Sequence, residues 1–445
     1  MMAPQGSYYI WAPPGPHAQE IRMEFSIRTT TGLLLFFISL AVFPCFIAAS
    51  EPVTVTERAR RIHFSSYVFD GHNDLPWAIR NQAASSFDKM DIALPQPGLH
   101  TDIPRLREGN VGAQFWSVYV PANTAEDGTA FLKTLEQIEL VRAMVDRYPD
   151  TFMLALSTDD IRRSRRTSRI ASLIGVEGGH AIEDSIGKLR RLYSLGTRYM
   201  TLTHSANLSW ADSATDAAEH RGLTPFGEGV VREMNRLGML VDLSHVSEAT
   251  MADALEVSRA PVIFSHSSAR TIASHPRNVP DSILKQLTAN GGVVMVNFYS
   301  GFIHPESARR RENMFDVMRD LRVKHPLEAD YRSAMTRWRV SNPILPGSVH
   351  DVVDHIDHIV KVAGIEHVGL GSDYDGVSML PAQLEDVSTY PVITQELLNR
   401  GYSRRDIHRI LCENVLRAFA RAEEVAAKRR SRPAPKASSD SEECF

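Results

Sequence analysis

The stretch FDGHNDLPW, residues 69–77, decides how this chain folds. An apolar, β-branched run (YVF) leads into it. His72 and Asp74 then stand two residues apart, where a buried strand would end. A turn with a polar cap would explain the pair, and so would a metal site. The same arrangement recurs along the chain, which turns a local question into a question of fold.

Seven more short apolar runs follow: AQFWSVYV (113–120), ASLIGVEGG (171–179), TRYMTLTH (197–204), MLVDLSH (239–245), APVIFSH (260–266), GGVVMVNF (291–298) and EHVGLGSD (366–373). Longer segments of helical period lie between most of them. Continuous apolar strands that alternate with helices imply a parallel sheet covered on both faces. Eight such units predict an α/β fold, a (β/α)8 TIM-like barrel. A doubly wound open sheet is the alternative, but no GxGxxG follows the first run. The charged stretch between the seventh and eighth runs, 300–349, reads as a helical insertion before the last strand. It is placed to act as a lid over the mouth or as a dimer contact.

Six of the eight runs end in, or just before, a side chain suited to metal binding or proton transfer. They supply His72 and Asp74, Glu177, His204, His245, His266 and Asp373. The C-termini of barrel strands meet at one mouth, so residues scattered from 72 to 373 would meet in one cluster. Histidines and carboxylates without cysteine suit Zn2+ and similar divalent ions. There are too many for one tetrahedral ion, and two ions bridged by a carboxylate use them economically.

These motifs, DGHNDLPW, GVEGGH, LTHSANLSWADS, LVDLSHVS, FSHSSAR, RNVPD, GLGSDYDG and LEDVSTYP, resemble the membrane (renal) dipeptidase family, zinc peptidases of family M19 with an amidohydrolase-like barrel. The resemblance implies two Zn2+ ions per subunit: His72 and Asp74 on one, His245 and His266 on the other, Glu177 bridging both. It implies that His204 faces the substrate and stabilises the oxyanion, and that Arg277, from RNVPD, pairs with the free carboxylate of a dipeptide. Asp373 would shuttle a proton from a metal-bridging hydroxide to the leaving amine. The activity implied is hydrolysis of a broad range of dipeptides. The alternative is a dizinc amidohydrolase acting on a specialised metabolite, such as a Cys-Gly-type conjugate or a lactam. A barrel that only binds is a poorer reading, because every expected ligand is present. His180, Asp375, Asn73 and Ser244 are read as supporting residues and His275 as a loop residue near Arg277. His355 and His358, set among aspartates, are read as part of an exposed helix face.

Composition agrees with a globular protein: 43% of the 445 residues are hydrophobic and the net charge is -4, which gives no sign of a nucleic-acid partner. Three cysteines, Cys45, Cys412 and Cys444, make no disulfide framework. The cysteines that pair in animal members have no counterparts, so a homodimer would form without that link. Residues 32–49 (GLLLFFISLAVFPCFIAA) follow Arg22 and Arg28 and end in small residues. That is the layout of a signal peptide or a signal anchor, and it predicts a secreted or membrane-attached protein. Met23 is the better start for such a leader. The expected organisation is therefore an N-terminal extension and leader over 1–50, a hydrolase barrel over 51–429 and a disordered tail over 430–445. The sequon Asn207-Leu208-Ser209 lies just past a site strand and is expected to carry no glycan.

Overall fold

The computed structural model describes residues 51–312 and 314–430. Nine parallel strands are β1 (Val68–Asn73), β2 (Val111–Tyr119), β3 (Phe152–Leu154), β4 (Ile170–Glu177), β5 (Thr197–Thr201), β6 (Leu240–Asp242), β7 (Ile263–Phe264), β8 (Val293–Val296) and β9 (Val368–Leu370). The order runs β2-β1-β9-β8-β7-β6-β5-β4, and β2 pairs again with β4 from Ala113↔Ala171 to Tyr119↔Glu177. That last pairing closes an eight-stranded barrel. Its strands are the eight apolar runs of the sequence. The ninth, β3, is appended to the start of β4 through Phe152↔Ile170.

The strands read as unbroken apolar runs because both of their faces are covered. Phe69, Phe115, Leu173, Tyr199, Leu240, Ile263, Val293 and Met295 fill the barrel and form one buried cluster. Their neighbours Val68, Trp116, Ile174, Met200, Val241, Phe264, Val294 and Val296 belong to the other, packed under the helices. This is the period-two alternation of a pleated strand wrapped around a filled interior. The final helix, Asn414–Arg430, adds Val415, Ala418, Phe419 and Ala422 to the inner cluster. Its Arg417 donates to Gly291 O just before β8, and Asn414 donates to Val368 O at the start of β9. The helix therefore plugs the end opposite the strand C-termini. Arg430, placed in the tail on composition, is its last residue.

The insertion is helical, as expected: Ser300–Ile303, Pro305–Arg311, Met314–Lys324 and Glu328–Ser341. Arg319 donates to Thr215 O, tying it to the segment that follows β5.

One helix corrects the sequence reading. Val349–Ala363 starts in a capping box of Ser348 and Asp351 and buries Val352, Val353, His355, Ile356 and Ile359. His355 is completely buried, not exposed. It accepts from Ala269 N at 2.9 Å and donates to Ile303 O at 3.0 Å. His358, one turn on, pairs with Asp281 at 2.7 Å. Cys412 is buried and free. The leader expected over 1–50 and the tail beyond 430 lie outside the described residues. Among the described residues no helix is long and apolar enough to cross a membrane.

Candidate metal centre

All six strand-end positions meet at the C-terminal mouth of the barrel. β1 ends at His72 and Asn73 and turns at Asp74, and β4 ends on Glu177. His204, His245, His266 and Asp373 follow β5, β6, β7 and β9 by two or three residues. His245 and Asp373 sit at φ 69° and 66°, in the left-handed region. Non-glycine residues adopt that conformation at a cost, which the surrounding fold must offset, and such positions cluster at functional sites.

Glu177 is the centre. Its Oε2 lies 3.6 Å from His72 Nε2 and accepts from Ser117 Oγ at 3.0 Å. Its Oε1 lies 3.1 Å from His245 Nε2, 3.5 Å from His204 Nε2 and 3.6 Å from His266 Nε2. His72 Nε2 is also 3.2 Å from Asp74 Oδ2, and the two Nε2 atoms of His245 and His266 are 2.9 Å apart. Three sets of three ligand atoms fall within 4.8 Å: His72, Glu177 and His266; Glu177, His204 and His245; His72, Asp74 and Asp373. Two of them share Glu177. The site has room at its edge only because residue 376 is glycine, since a Cβ there would come 2.2 Å from Asp74 Oδ2.

The electrostatics ask for a cation. Asp74, Glu177 and Asp373 are all nearly out of water. Burial raises the Asp74 carboxyl above the usual range and pushes Asp373 to about 7, the His72 charge and the Asn297 amide working the other way. Burial would raise Glu177 too, but His72 and His245 outweigh it and hold the group well below its ordinary value. Burial also keeps His245 and His266 neutral. Neutral imidazoles beside buried carboxylates form a donor set for a divalent ion. His72 Nε2 is buried and turned toward the Asp74 and Glu177 carboxylates, while its Nδ1 is 2.8 Å from Tyr199 Oη. A buried imidazole nitrogen that converges with two carboxylates fits a metal that the three would share.

These residues floor a cavity of about 390 Å3. That is the size of a small-molecule site. Trp77, Tyr119, Tyr299 and Phe302 give it aromatic walls, and Arg277 enters from the side. Arg277 is 1% exposed. It donates to Ser267 Oγ at 3.3 Å and His266 O at 3.2 Å, and its Nε has no partner.

The membrane dipeptidase pattern, peptidase family M19, matches residues 56–433. The chain belongs to this family. It is a metallodipeptidase by membership, and it carries candidate metal-binding His, Asp and Glu groups. Solved structures share the fold. The probable dipeptidase PvdM from Pseudomonas aeruginosa is 23% identical, covering 84% of this chain and 99% of its own, with a TM-score of 0.72. A metallo peptidase from Rhodobacter sphaeroides, liganded with a phosphinate mimic of the dipeptide L-Ala-D-Ala, is 24% identical over 80% of this chain and 99% of its own, with a TM-score of 0.66. An amidohydrolase from Pseudomonas aeruginosa follows at 22% identity over 82% and 98%, with a TM-score of 0.63.

Within this metallodipeptidase, the residues read as supporting make the following contacts. Ser244 Oγ accepts from His266 N at 3.0 Å. Asp375 accepts from His100 N at 2.7 Å, and His180 Nε2 meets Val120 O at 2.9 Å. His275 is buried and accepts from Arg277 N at 3.2 Å. The sequence reading missed Ser117, Tyr199 and Asn297. Asn297 follows β8 and donates to Asp373 Oδ2 at 2.8 Å. It stands at a strand C-terminus like the others, but an amide was not counted among the metal-type ends.

Proposed function

We propose that this metallodipeptidase is a dizinc enzyme that cleaves free dipeptides, with Glu177 as the bridging ligand. The observation that carries the reading is the division of Glu177: one carboxylate oxygen faces His72, the other faces His204, His245 and His266. His72 and Asp74 would hold one ion, and His245 and His266 the other. Imidazole and carboxylate donors favour zinc. When bound, a pair of such ions supplies an activated water and polarises the substrate carbonyl.

The chain's own residues do the rest. Arg277 grips the substrate carboxylate; a guanidinium fork suits that group, and its burial excludes competing water. His204, kept neutral by burial that pushes its pKa to about 4, lines the cavity and would stabilise the carbonyl oxygen as it gains charge. Asp373, raised to about 7, takes a proton from the attacking water and returns it to the leaving amine. Its contact with Asn297 fixes the carboxylate for that transfer.

The aromatic walls accept a range of side chains through shape alone, which supports broad dipeptide specificity. Residues 32–49 support entry into the secretory pathway, as a cleaved leader or an anchor; N-terminal sequencing of the mature protein tests this.

The direct test is hydrolysis by the segment from residue 51, loaded with zinc, on dipeptides paired with their C-terminal amides. Cleavage of the free dipeptides only is the expected result. Cleavage of both would discard the carboxylate clamp. No turnover of any peptide would discard the dipeptide reading for this chain in favour of a specialised amide.

A further inference from the structure

Asp70 and Asp242 lie outside the ligand set, and both are fully buried. Their carboxylates make the same bracket on opposite parts of the barrel. Asp70 Oδ1 accepts from the backbone N–H of His72 at 3.3 Å and of Ser372 at 2.8 Å, and Oδ2 accepts from Ser372 Oγ at 2.7 Å. Asp242 Oδ1 accepts from the N–H of Ser244 at 3.1 Å and of Ser265 at 2.8 Å, and Oδ2 accepts from Ser265 Oγ at 2.6 Å. Thr201 Oγ1 adds a further bond to Asp242 at 2.6 Å. In both cases the captured serine directly precedes a residue of the site: Ser372 before Asp373, Ser265 before His266.

Of the two brackets, the one at Asp242 reaches an imidazole. Ser265 Oγ also lies 2.8 Å from His266 Nδ1. A serine hydroxyl has one proton, and here it is committed to Asp242. Toward His266 the oxygen can therefore only accept, so Nδ1 must carry the ring proton. Nε2 is then left with its lone pair, 3.6 Å from Glu177 Oε1.

We propose that Asp242 is a positioning residue: acting through Ser265, it locks His266 in the Nδ1-protonated tautomer and so presents Nε2 to the cation. The inference rests on the metal reading of the site for its purpose, but not for its geometry. Partners behind a metal-binding histidine fix its tautomer and orientation, and their loss typically lowers metal affinity about 10- to 100-fold.

Asp242→Asn is the sharp test, because an amide NH2 facing Ser265 reverses the chain. The serine hydroxyl must then accept from the amide and donate to His266 Nδ1, which moves the ring proton to Nε2. Long-range 1H–15N spectra of metal-free, histidine-labelled full-length protein read this directly, with His266 assigned through His266→Gln. The expected result is an Nδ1–H signature in the wild type and an Nε2–H signature in the variant. Zinc affinity, measured by chelator competition, should fall about 10- to 100-fold. Asp70→Asn is the control: it disturbs an equally buried bracket with no link to an imidazole, and should leave the His266 signature unchanged. Ser265→Ala removes the relay without the reversal, and serves if Asp242→Asn does not fold; it should lose the defined Nδ1–H signature. A wild-type Nε2–H signature would overturn the proposal, as would an Asp242→Asn signature that does not change. So would an Asp70→Asn protein that shifts His266 equally. Wild-type protein that binds no zinc would instead overturn the metal reading, while the metal-free tautomer comparison is decided separately.

Discussion

Tyr199 Oη stands 2.8 Å from His72 Nδ1, directly under the metal centre. The phenol takes the place that a carboxylate or a backbone carbonyl often fills behind a metal-binding histidine. Nε2 of the same ring is turned toward Asp74 and Glu177. Gly175 makes the space: a Cβ there would lie 2.0 Å from the Tyr199 ring. Tyr199→Phe should lower zinc affinity about tenfold. It should also cost about 1–3 kcal/mol in urea unfolding, because it strands a buried donor. Gly175→Ala should reproduce the affinity loss by displacing the ring. Unchanged chelator competition in both variants would remove this role.

Much of this was legible in the sequence, for physical reasons. The eight barrel strands are apolar throughout because both faces are buried, and their ends carry the site because a parallel barrel gathers them at one mouth. β3 was not legible: Phe152–Leu154 is three residues long and pairs only with the start of β4. His355 was misread because the flanking aspartates suggested a solvated face. The apolar spacing Val352, Ile356 and Ile359 already defined a buried stripe, and 355 falls on it. Tyr199 and Asp242 were hidden for a different reason. Their roles depend on which atom meets which through the barrel interior, for Tyr199, or on the next strand, for Asp242, and no spacing along the chain encodes that.

Glu177→Gln tests the bridge. An amide cannot present two anionic oxygens, and its NH2 would face either His72 or the opposite histidines. Metal content should fall from two ions to one or none, and dipeptidase activity should drop by about 100-fold or more. The fold should survive, because Glu177 is held by Ser117 and the site rather than by the core. Two retained ions, counted by elemental analysis, would reassign the bridge.

Acid should destabilise the barrel through histidines far from the metal. His63 contacts Thr394 Oγ1 at 2.8 Å and Gly109 O at 3.1 Å, and burial pushes it to about 4; His355 is likewise pushed to about 4. Free of the fold, each would titrate at about 6.5. Between those values the unfolded chain binds protons that the native protein does not, so stability rises with pH across that window. It is lost as pH falls below about 6.5 and is unaffected by these groups above it, at up to about 1.4 kcal/mol per pH unit for each histidine. His355→Asn should be less stable at pH 8 yet show a shallower decline toward pH 4.5 in urea unfolding. An equally steep decline would exclude His355 as a source.

Asn207 should remain unmodified in a glycosylating host. Its Oδ1 accepts from Ser213 N at 2.8 Å, and its Nδ2 donates to Ala217 O in a short contact. A glycan on Nδ2 would replace one of its two hydrogens and crowd the bond to Ala217 O in the loop beside His204. Intact mass should therefore match the polypeptide and not change on treatment with an N-glycosidase. A glycan found at Asn207 on active enzyme would show that the loop opens.

The last prediction concerns substrate length. Arg277 is anchored through both terminal nitrogens, and its Nε has no partner; burial pushes it down to about 10, still charged at neutral pH. A buried cation with an idle donor is suited to an incoming carboxylate, and charged hydrogen bonds of this kind are worth about 1.5–3 kcal/mol. Arg277→Lys keeps the charge but loses the fork. For free dipeptides kcat/KM should fall roughly 10- to 150-fold, chiefly through KM, because the grip is made equally in the ground and transition states. Amidated dipeptides, which offer no carboxylate, should hardly change. The preference for free over amidated substrate should therefore collapse in the variant, and a preserved preference would place the clamp elsewhere in the cavity.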